Sequence, residues 1–327
     1  MSNTIKISFT GDILIYECQN KLSRHLCKYD YTSYLEQVKP VFAHSDYVVG
    51  SLETTCAGWW ARYTHSDIEF NTPDSILKTL KEIGIDMVTT ANNHALDRGI
   101  CGLKRTMRKL KDYGLEYTGT RMQPQESNFL IKEFDGVKVA FIAYTYGVNE
   151  KELLDDYQYM VNLTRKPDSP SKKKWYKRLL HPVYDCLPKS IRLKIHPLRP
   201  MRAFDDCVGA KEIGCATNQP FVDSMLATIQ EAKKNADIVI FCLHSGGQFS
   251  KKIGEYTQWL INTIQTAGVN AIVTNHAHTI LPIEKADNGC LIAYALGNFS
   301  FTPGVGYFIE GVEAEKSIVL NLYIIFY

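Results

Sequence analysis

The chain lacks the features that would make it small and disulfide-bonded, or membrane-spanning. Its nine cysteines (18, 27, 56, 101, 186, 207, 215, 242 and 290) are odd in number, and no pair has C-x-x-C spacing. That argues against zinc ribbons and thioredoxin-like dithiols, and a chain of 327 residues needs no disulfide framework. The cysteines read as reduced packing residues. Apolar runs such as Ala236 to Leu243 stay far short of the roughly 20 residues needed to cross a bilayer. Met1 to Lys6 leads directly into a strand pattern, with no charged segment followed by an apolar one, so no secretion signal is expected and the protein reads as cytoplasmic. Long repeats are absent, and low complexity is limited to Lys172, Lys173 and Lys174.

What is present is a globular composition, 45% hydrophobic and 22% charged. Apolar runs alternate with amphipathic stretches, which is the pattern of an α/β fold. Strands are expected at Ile5–Thr10, Asp46–Leu52, Ile85–Thr90, Leu115–Gly119, Asp237–Leu243, Ala271–Thr274, Leu291–Leu296 and Ile318–Phe326. Phe129–Phe134 and Val137–Tyr144 flank Asp135-Gly136, a strong hairpin signal. Helical spacing covers Tyr34–Phe42, a segment from Thr72 to Ile83 with Thr72 as N-cap, Ile100–Tyr113, Phe221–Lys234 and Ile253–Ala267.

Charge is unevenly spread. The net charge is +2, yet residues 165–202 hold twelve Lys/Arg against two Asp/Glu, and six of the twelve prolines. We read a basic, proline-rich insertion at about 150–218 in an otherwise single domain. Trp175, Tyr176, Leu179 and Leu180 lie among its lysines and arginines. Such a stretch can be a solvated surface excursion, a cap that attracts a polyanion, or a contact with an anionic membrane surface. No nucleic-acid-binding fold accompanies the charge, so no nucleic acid is expected.

The polar residues at strand ends carry the functional signal. Asp12, Glu53, Asn93, His244, His276 and His278 each fall at or just past the carboxyl end of an expected strand. Ligands of open α/β sheets bind there. Carboxylates, an amide oxygen and imidazoles suit divalent Mn, Fe or Zn. Two ions about 3.5–4 Å apart can clamp both oxygens of a hydrolysis. Taken singly, Asn93 can also be a helix cap, and His276-Ala277-His278 an ordinary loop.

These motifs resemble the bacterial poly-γ-glutamate capsule synthesis (CapA) family, a branch of the calcineurin-like metallophosphoesterases. The resemblance rests on Phe9-Thr10-Gly11-Asp12, Leu52-Glu53, the specific run Ala91-Asn92-Asn93-His94-Ala95-Leu96-Asp97-Arg98-Gly99, the strand into His244, Asn275-His276-Ala277-His278 with Pro282 and Glu284, and Leu296-Gly297-Asn298-Phe299. It covers most of the chain outside the basic stretch. It implies a four-layer α-β-β-α sandwich and a pair of divalent ions held by Asp12, Glu53, Asn93, His244, His276 and His278, with one acidic group shared. His94 would protonate a leaving group or stabilise charge. Asp97 would orient His94 or cap the next helix, the cap being the favoured reading because Asp is common before a helix start. Asn92 and Asn298 would meet substrate, although Gly297-Asn298 also reads as a turn. The implied activity is hydrolysis of a phosphoester or amide bond. The substrate would be an anionic polymer or a phosphorylated glycan or lipid, with capsule-synthesis membrane proteins as partners. A non-catalytic, polymer-binding component of a capsule assembly or export machine is the alternative. Leu14 stands where phosphoesterases of this kind have a histidine, and Glu53 where they have aspartate; CapA proteins share both changes. Ser245-Gly246-Gly247 replaces a usual aromatic after His244, and Asn275 a usual glycine.

Overall fold

Side chains that alternate between two apolar surroundings organise the fold. The computed structural model describes residues 3–25, 28–64, 69–149, 155–167, 191, 203–300 and 313–326. Its strands are β1 (Asn3–Ile13), β2 (Arg24–His25), β3 (Lys28–Tyr29), β4 (Tyr47–Leu52), β5 (Met87–Thr89), β6 (Glu116–Thr118), β7 (Phe129–Phe134), β8 (Val137–Thr145), β9 (Ile238–His244), β10 (Ala271–Asn275), β11 (Ile283–Lys285), β12 (Leu291–Ala293), β13 (Asn298–Ser300) and β14 (Leu320–Phe326). The helices are α1 (Glu17–Ser23), α2 (Thr32–Leu35), α3 (Lys39–Phe42), α4 (Ser75–Glu82), α5 (Gly99–Asp112), α6 (Gln219–Asn235) and α7 (Glu255–Thr266).

One sheet has the order β13-β1-β4-β5-β6, with β14 antiparallel on the first half of β1. The other runs β11-β12-β10-β9-β8-β7. In the first sheet β1, β4, β5 and β6 are parallel, and in the second β12, β10, β9 and β8 are. Successive side chains of a strand point to opposite faces. Accordingly Val139, Phe141 and Ala143 of β8 join Ile7, Phe9, Val49 and Met87 in a core between the two sheets. Their neighbours Ala140, Ile142 and Tyr144 turn outward to meet Met225, Ile229, Leu260 and Ile264 of α6 and α7. On the opposite outer face, Val48 and Leu52 of β4 pack on Ile76, Leu77 and Leu80 of α4. The result is the expected four-layer α-β-β-α sandwich. Its parallel strands read as near-continuous apolar runs because both faces are buried.

Asp135 and Gly136 both take positive φ, 48° and 86°, as the expected two-residue hairpin requires. Other expectations need correction. Tyr34–Phe42 is not one helix: α2, a short 3-10 turn at Glu36–Val38 and α3 follow each other, and Pro40 cannot donate to a continuous ladder. Thr72 does not cap α4. Its hydroxyl bonds Thr54 Oγ1 at 2.8 Å, and the helix begins at Ser75. The strand expected over Leu291–Leu296 ends at Ala293.

Part of the stretch expected as an insertion belongs to the body. Met160, Val161 and Leu163 enter the inter-sheet core, and Asn162 Nδ2 donates to the Ala143 carbonyl at 3.1 Å. After the basic stretch, Phe204 bridges Gln248 and Cys207 N donates to Gly246 O. Residues 168–190 and 192–202, which carry most of the basic charge, lie outside the described residues. No helix among the described residues is long and apolar enough to cross a membrane.

Gly11 shows how tightly the seam at the rim is closed. A Cβ there would overlap the Gly297 carbonyl oxygen, which also accepts from Asp12 N at 3.0 Å. Gly11→Ala must push this seam open. We expect it to lower unfolding free energy by about 1–3 kcal/mol, the usual range for overpacking. Urea denaturation measures this, and an unchanged midpoint would contradict the close approach.

Candidate metal centre

Both sheets deliver polar side chains to one rim, the carboxyl ends of their parallel strands. From the first sheet come Asp12 of β1, Glu53 just past β4, and the Asn92-Asn93-His94 loop after β5. From the second come His244, the last residue of β9, and His276 and His278 just past β10. His276 and His278 have φ values of 105° and 52°, left-handed geometry that is uncommon outside glycine. At His276 the backbone N donates to Asp12 Oδ2 at 2.9 Å, which ties this loop to β1.

Glu53 is the hub. It is fully buried, and neither carboxylate oxygen has a hydrogen-bond partner. Four imidazoles face its Oε1: His244 Nε2 at 3.4 Å, His94 Nε2 at 3.8 Å, His276 Nδ1 at 3.8 Å and His278 Nε2 at 4.0 Å. Asp12, also fully buried, accepts from Ser51 Oγ at 2.8 Å and lies 3.6 Å from His278 Nδ1 and 3.8 Å from His244 Nδ1. Two sets of donor atoms are close enough to hold an ion, Glu53–His244–His276 and Asp12–Glu53–His278, and Glu53 belongs to both. Asn93 extends the first set, since its Oδ1 lies 2.8 Å from His244 Nε2.

The electrostatics fit a cation. Burial, with Glu53 alongside, pushes Asp12 up to about 7. Burial also raises Glu53, against the pull of His278 and His94. Burial pushes His244 down to about 4 and His276 well below the ordinary histidine range, and it lowers His278 too. Neutral imidazoles keep a lone pair available. Carboxylates short of positive charge in a dry site are the complementary half of a metal shell. His244 and His276 each also leave Nδ1 without a partner. A divalent ion would satisfy these orphaned atoms, so the residues present fit one.

His94 behaves differently. Burial lowers its pKa, but the carboxylates of Asp97, Glu53 and Asp12 together more than offset this and the net direction is upward. Asp97 Oδ2 lies 2.7 Å from His94 Nδ1 and accepts from Phe70 N at 2.6 Å. Of the two readings of Asp97, orientation of His94 is the one the geometry supports. Helix α5 has Arg98 at its N-cap and no side-chain cap bond. The Phe70 ring meets the His94 ring edge-on at 4.6 Å.

Asn92 and Asn298, expected at the substrate, have their amides committed to the protein. Asn92 Nδ2 donates to Leu52 O at 2.7 Å, and its Oδ1 accepts from His94 N at 3.0 Å. Asn298 Oδ1 lies 2.9 Å from His278 Nδ1, and its Nδ2 donates to the His278 and Ala314 carbonyls. Both shape ligand-bearing loops. Leu14 is buried against Tyr16 and Phe70, so apolar packing fills the position where the resemblance lacks an imidazole. Gly247 has a local reason: a Cβ would overlap Phe204 O, where the 204–207 segment crosses and brings Cys207 Sγ to 2.9 Å from His276 Nε2. Sequence reasoning missed Cys207, Ser51 and Asn149. Asn149 had a usable signal, lying just past the carboxyl end of β8.

Fold and site together define a four-layer α/β sandwich with a buried carboxylate–imidazole cluster whose donors suit a divalent metal. The family model for bacterial capsule synthesis protein PGA_cap matches residues 6–303, and the chain belongs to that family. It is 26% identical to the PGA biosynthesis protein CapA of Bacillus subtilis (strain 168), over 92% of this chain and 64% of that one. It is 23% identical to the capsule biosynthesis protein CapA of Bacillus anthracis, over 92% of this chain and 60% of that one. The chain thus spans less than two thirds of the length of these relatives. Among solved structures it resembles a hypothetical protein from Thermus thermophilus, with a TM-score of 0.43 and 13% identity over 92% of this chain and 80% of that one.

An unpartnered buried carboxylate is costly without a cation. Glu53→Gln is therefore expected to stabilise the chelator-treated protein at pH 8 by about 1–3 kcal/mol, the cost of leaving such a group unsatisfied. With Mn²⁺ present the order should reverse. Thermal melts of both proteins in both conditions test this; a Gln variant less stable in chelator would show that Glu53 is satisfied without metal.

Proposed function

We propose that this chain is a metal-dependent hydrolase of capsule or related surface-polymer biosynthesis, cutting a phosphoester or amide bond. The observation that carries the reading is Glu53, buried, without a hydrogen bond and ringed by four imidazoles. In this reading Asp12, Glu53 and His278 hold one divalent ion, and Glu53, Asn93, His244 and His276 hold the other; the imidazoles favour Mn, Fe or Zn. Such ions polarise the bond under attack and neutralise charge on the attacking and leaving oxygens.

The chain's own residues supply the rest. Asp97 engages Nδ1 of His94, which turns Nε2 towards the Glu53 side of the pocket. From there His94 can give a proton to a departing oxygen or nitrogen, or donate a hydrogen bond to it. The anionic polymer or phosphorylated glycan or lipid is the substrate class that the names of the Bacillus relatives and the basic stretch at 165–202 support. Membrane proteins of the same apparatus are the proposed partners. Leu14 favours a second reading, a non-catalytic polymer-binding component, because its apolar packing leaves one candidate ion with fewer protein donors.

Elemental analysis should find Mn, Fe or Zn in the purified protein and none in a His276→Ala/His278→Ala double variant. Mn²⁺-dependent cleavage of generic phosphodiesters should fall about 10²–10⁴-fold in His94→Ala, the span expected for losing a general acid. Polymer retention without metal or cleavage would instead establish the second reading.

A further inference from the structure

Asn149 lies on the loop that follows β8, and so comes from the second sheet. It reaches across to the Asn92-Asn93-His94 loop of the first. Its backbone N donates to the Asn93 carbonyl at 2.7 Å. Its side-chain Oδ1 accepts from Asn93 Nδ2 at 3.3 Å. Its own Nδ2 lies 3.2 Å from His94 Nδ1 and 3.5 Å from His94 Nε2. Nδ1 already faces Asp97 at 2.7 Å, so the Asn149 amide rests against the imidazole ring and is not aimed at a free lone pair.

The two ends of an asparagine amide are nearly equal in shape and opposite in hydrogen-bonding sense. Only Oδ1 can ligate a cation. A flipped Asn93 would present N–H groups to a centre that already needs positive charge neutralised by oxygen and nitrogen lone pairs. In the structure Asn93 Oδ1 faces His244 and Glu53's side of the site, and Nδ2 faces Asn149. We infer that Asn149 is a positioning residue: its Oδ1 locks the Asn93 amide with oxygen towards the metal centre, and its amide braces the His94 ring opposite the hold of Asp97. The inference rests on the metal-centre reading under Proposed function. It adds a residue from outside the matched ligand motifs, and a reason why both sheets must be seated for the site to work.

The test is metal affinity, with activity unnecessary. Asn149→Leu keeps the size but cannot accept from Asn93; Asn149→Asp keeps the acceptor. Zn²⁺ and Mn²⁺ are titrated against a competing chelator into wild type, Asn149→Leu, Asn149→Asp, Asn93→Ala and the Asn93→Ala/Asn149→Leu double variant. Asn149→Leu should weaken one ion about 10–100-fold, the range for losing a residue that orients a ligand. Asn149→Asp should stay within about threefold of wild type, because the acceptor oxygen is retained. The double variant should bind no more weakly than Asn93→Ala, since Asn149 acts through Asn93. A general packing role would instead make the two losses add and would lower the melting temperature of the metal-free protein. Additive losses, an Asn149→Leu that binds both ions like wild type, or an Asn149→Asp as weak as Asn149→Leu would each overturn the inference. If wild type itself binds neither ion, the metal-centre reading falls, and this one with it.

Discussion

Everything at the rim is arranged around a carboxylate that water does not reach. Glu53 sits between two sheets with no donor on either oxygen. Alone, such a group would be expensive to bury in its charged form. Three of the four surrounding imidazoles do not neutralise it, because the same burial that raises the carboxylates also favours the neutral forms of His244, His276 and His278; only His94 is shifted towards its charged form. The arrangement makes physical sense as half of an electrostatic balance whose other half is a cation. The nearby features serve that geometry: Ser51 on Asp12, Asn298 on His278, and the left-handed backbone at His276 and His278.

Membership of the capsule synthesis family and the fold are compatible with many chemistries at this cluster, since one fold hosts many activities. Two features pull in different directions. The His94–Asp97 pair, with Phe70 packed on the ring, is built like a proton donor held in one orientation. Leu14, sealed by Tyr16 and Phe70, removes a donor from the Asp12 side. The two donor sets differ in the same way: Glu53–His244–His276, extended by Asn93, is the fuller, and Asp12–Glu53–His278 the sparser.

The sheets and most of the candidate ligands were legible in the sequence because both rest on local signals. Apolar runs bounded by glycine mark β1, β5, β9 and β10, and a polar residue at the carboxyl end of each marks the rim. The Asp135-Gly136 turn needed no tertiary information. What escaped depended on partners distant in sequence. Asn298 and Asn92 were read as substrate contacts, and no local pattern announced that they also bond His278 and Leu52. Thr72 looked like a cap until Thr54 claimed its hydroxyl. The 155–167 and 203–218 segments carried the character of an insertion, yet Val161, Leu163 and Cys207 are built into the core and the site. Ser245-Gly246-Gly247 looked like a simple departure from pattern until Phe204 was found lying against Gly247.

The site is divided between the sheets: Asp12, Glu53, Asn93 and His94 on one, His244, His276, His278 and Asn149 on the other. Under the metal-centre reading, an ion held there would act as a rivet through the sandwich. Its binding energy would add to the adhesion of two layers otherwise joined by Phe9, Phe141, Val49 and their neighbours, and would grow with free metal concentration by mass action. Separation of the sheets would then be opposed by metal binding. Under the reading proposed above, the resistance of the sandwich to coming apart, and not only its chemistry, would follow how much divalent metal its surroundings provide.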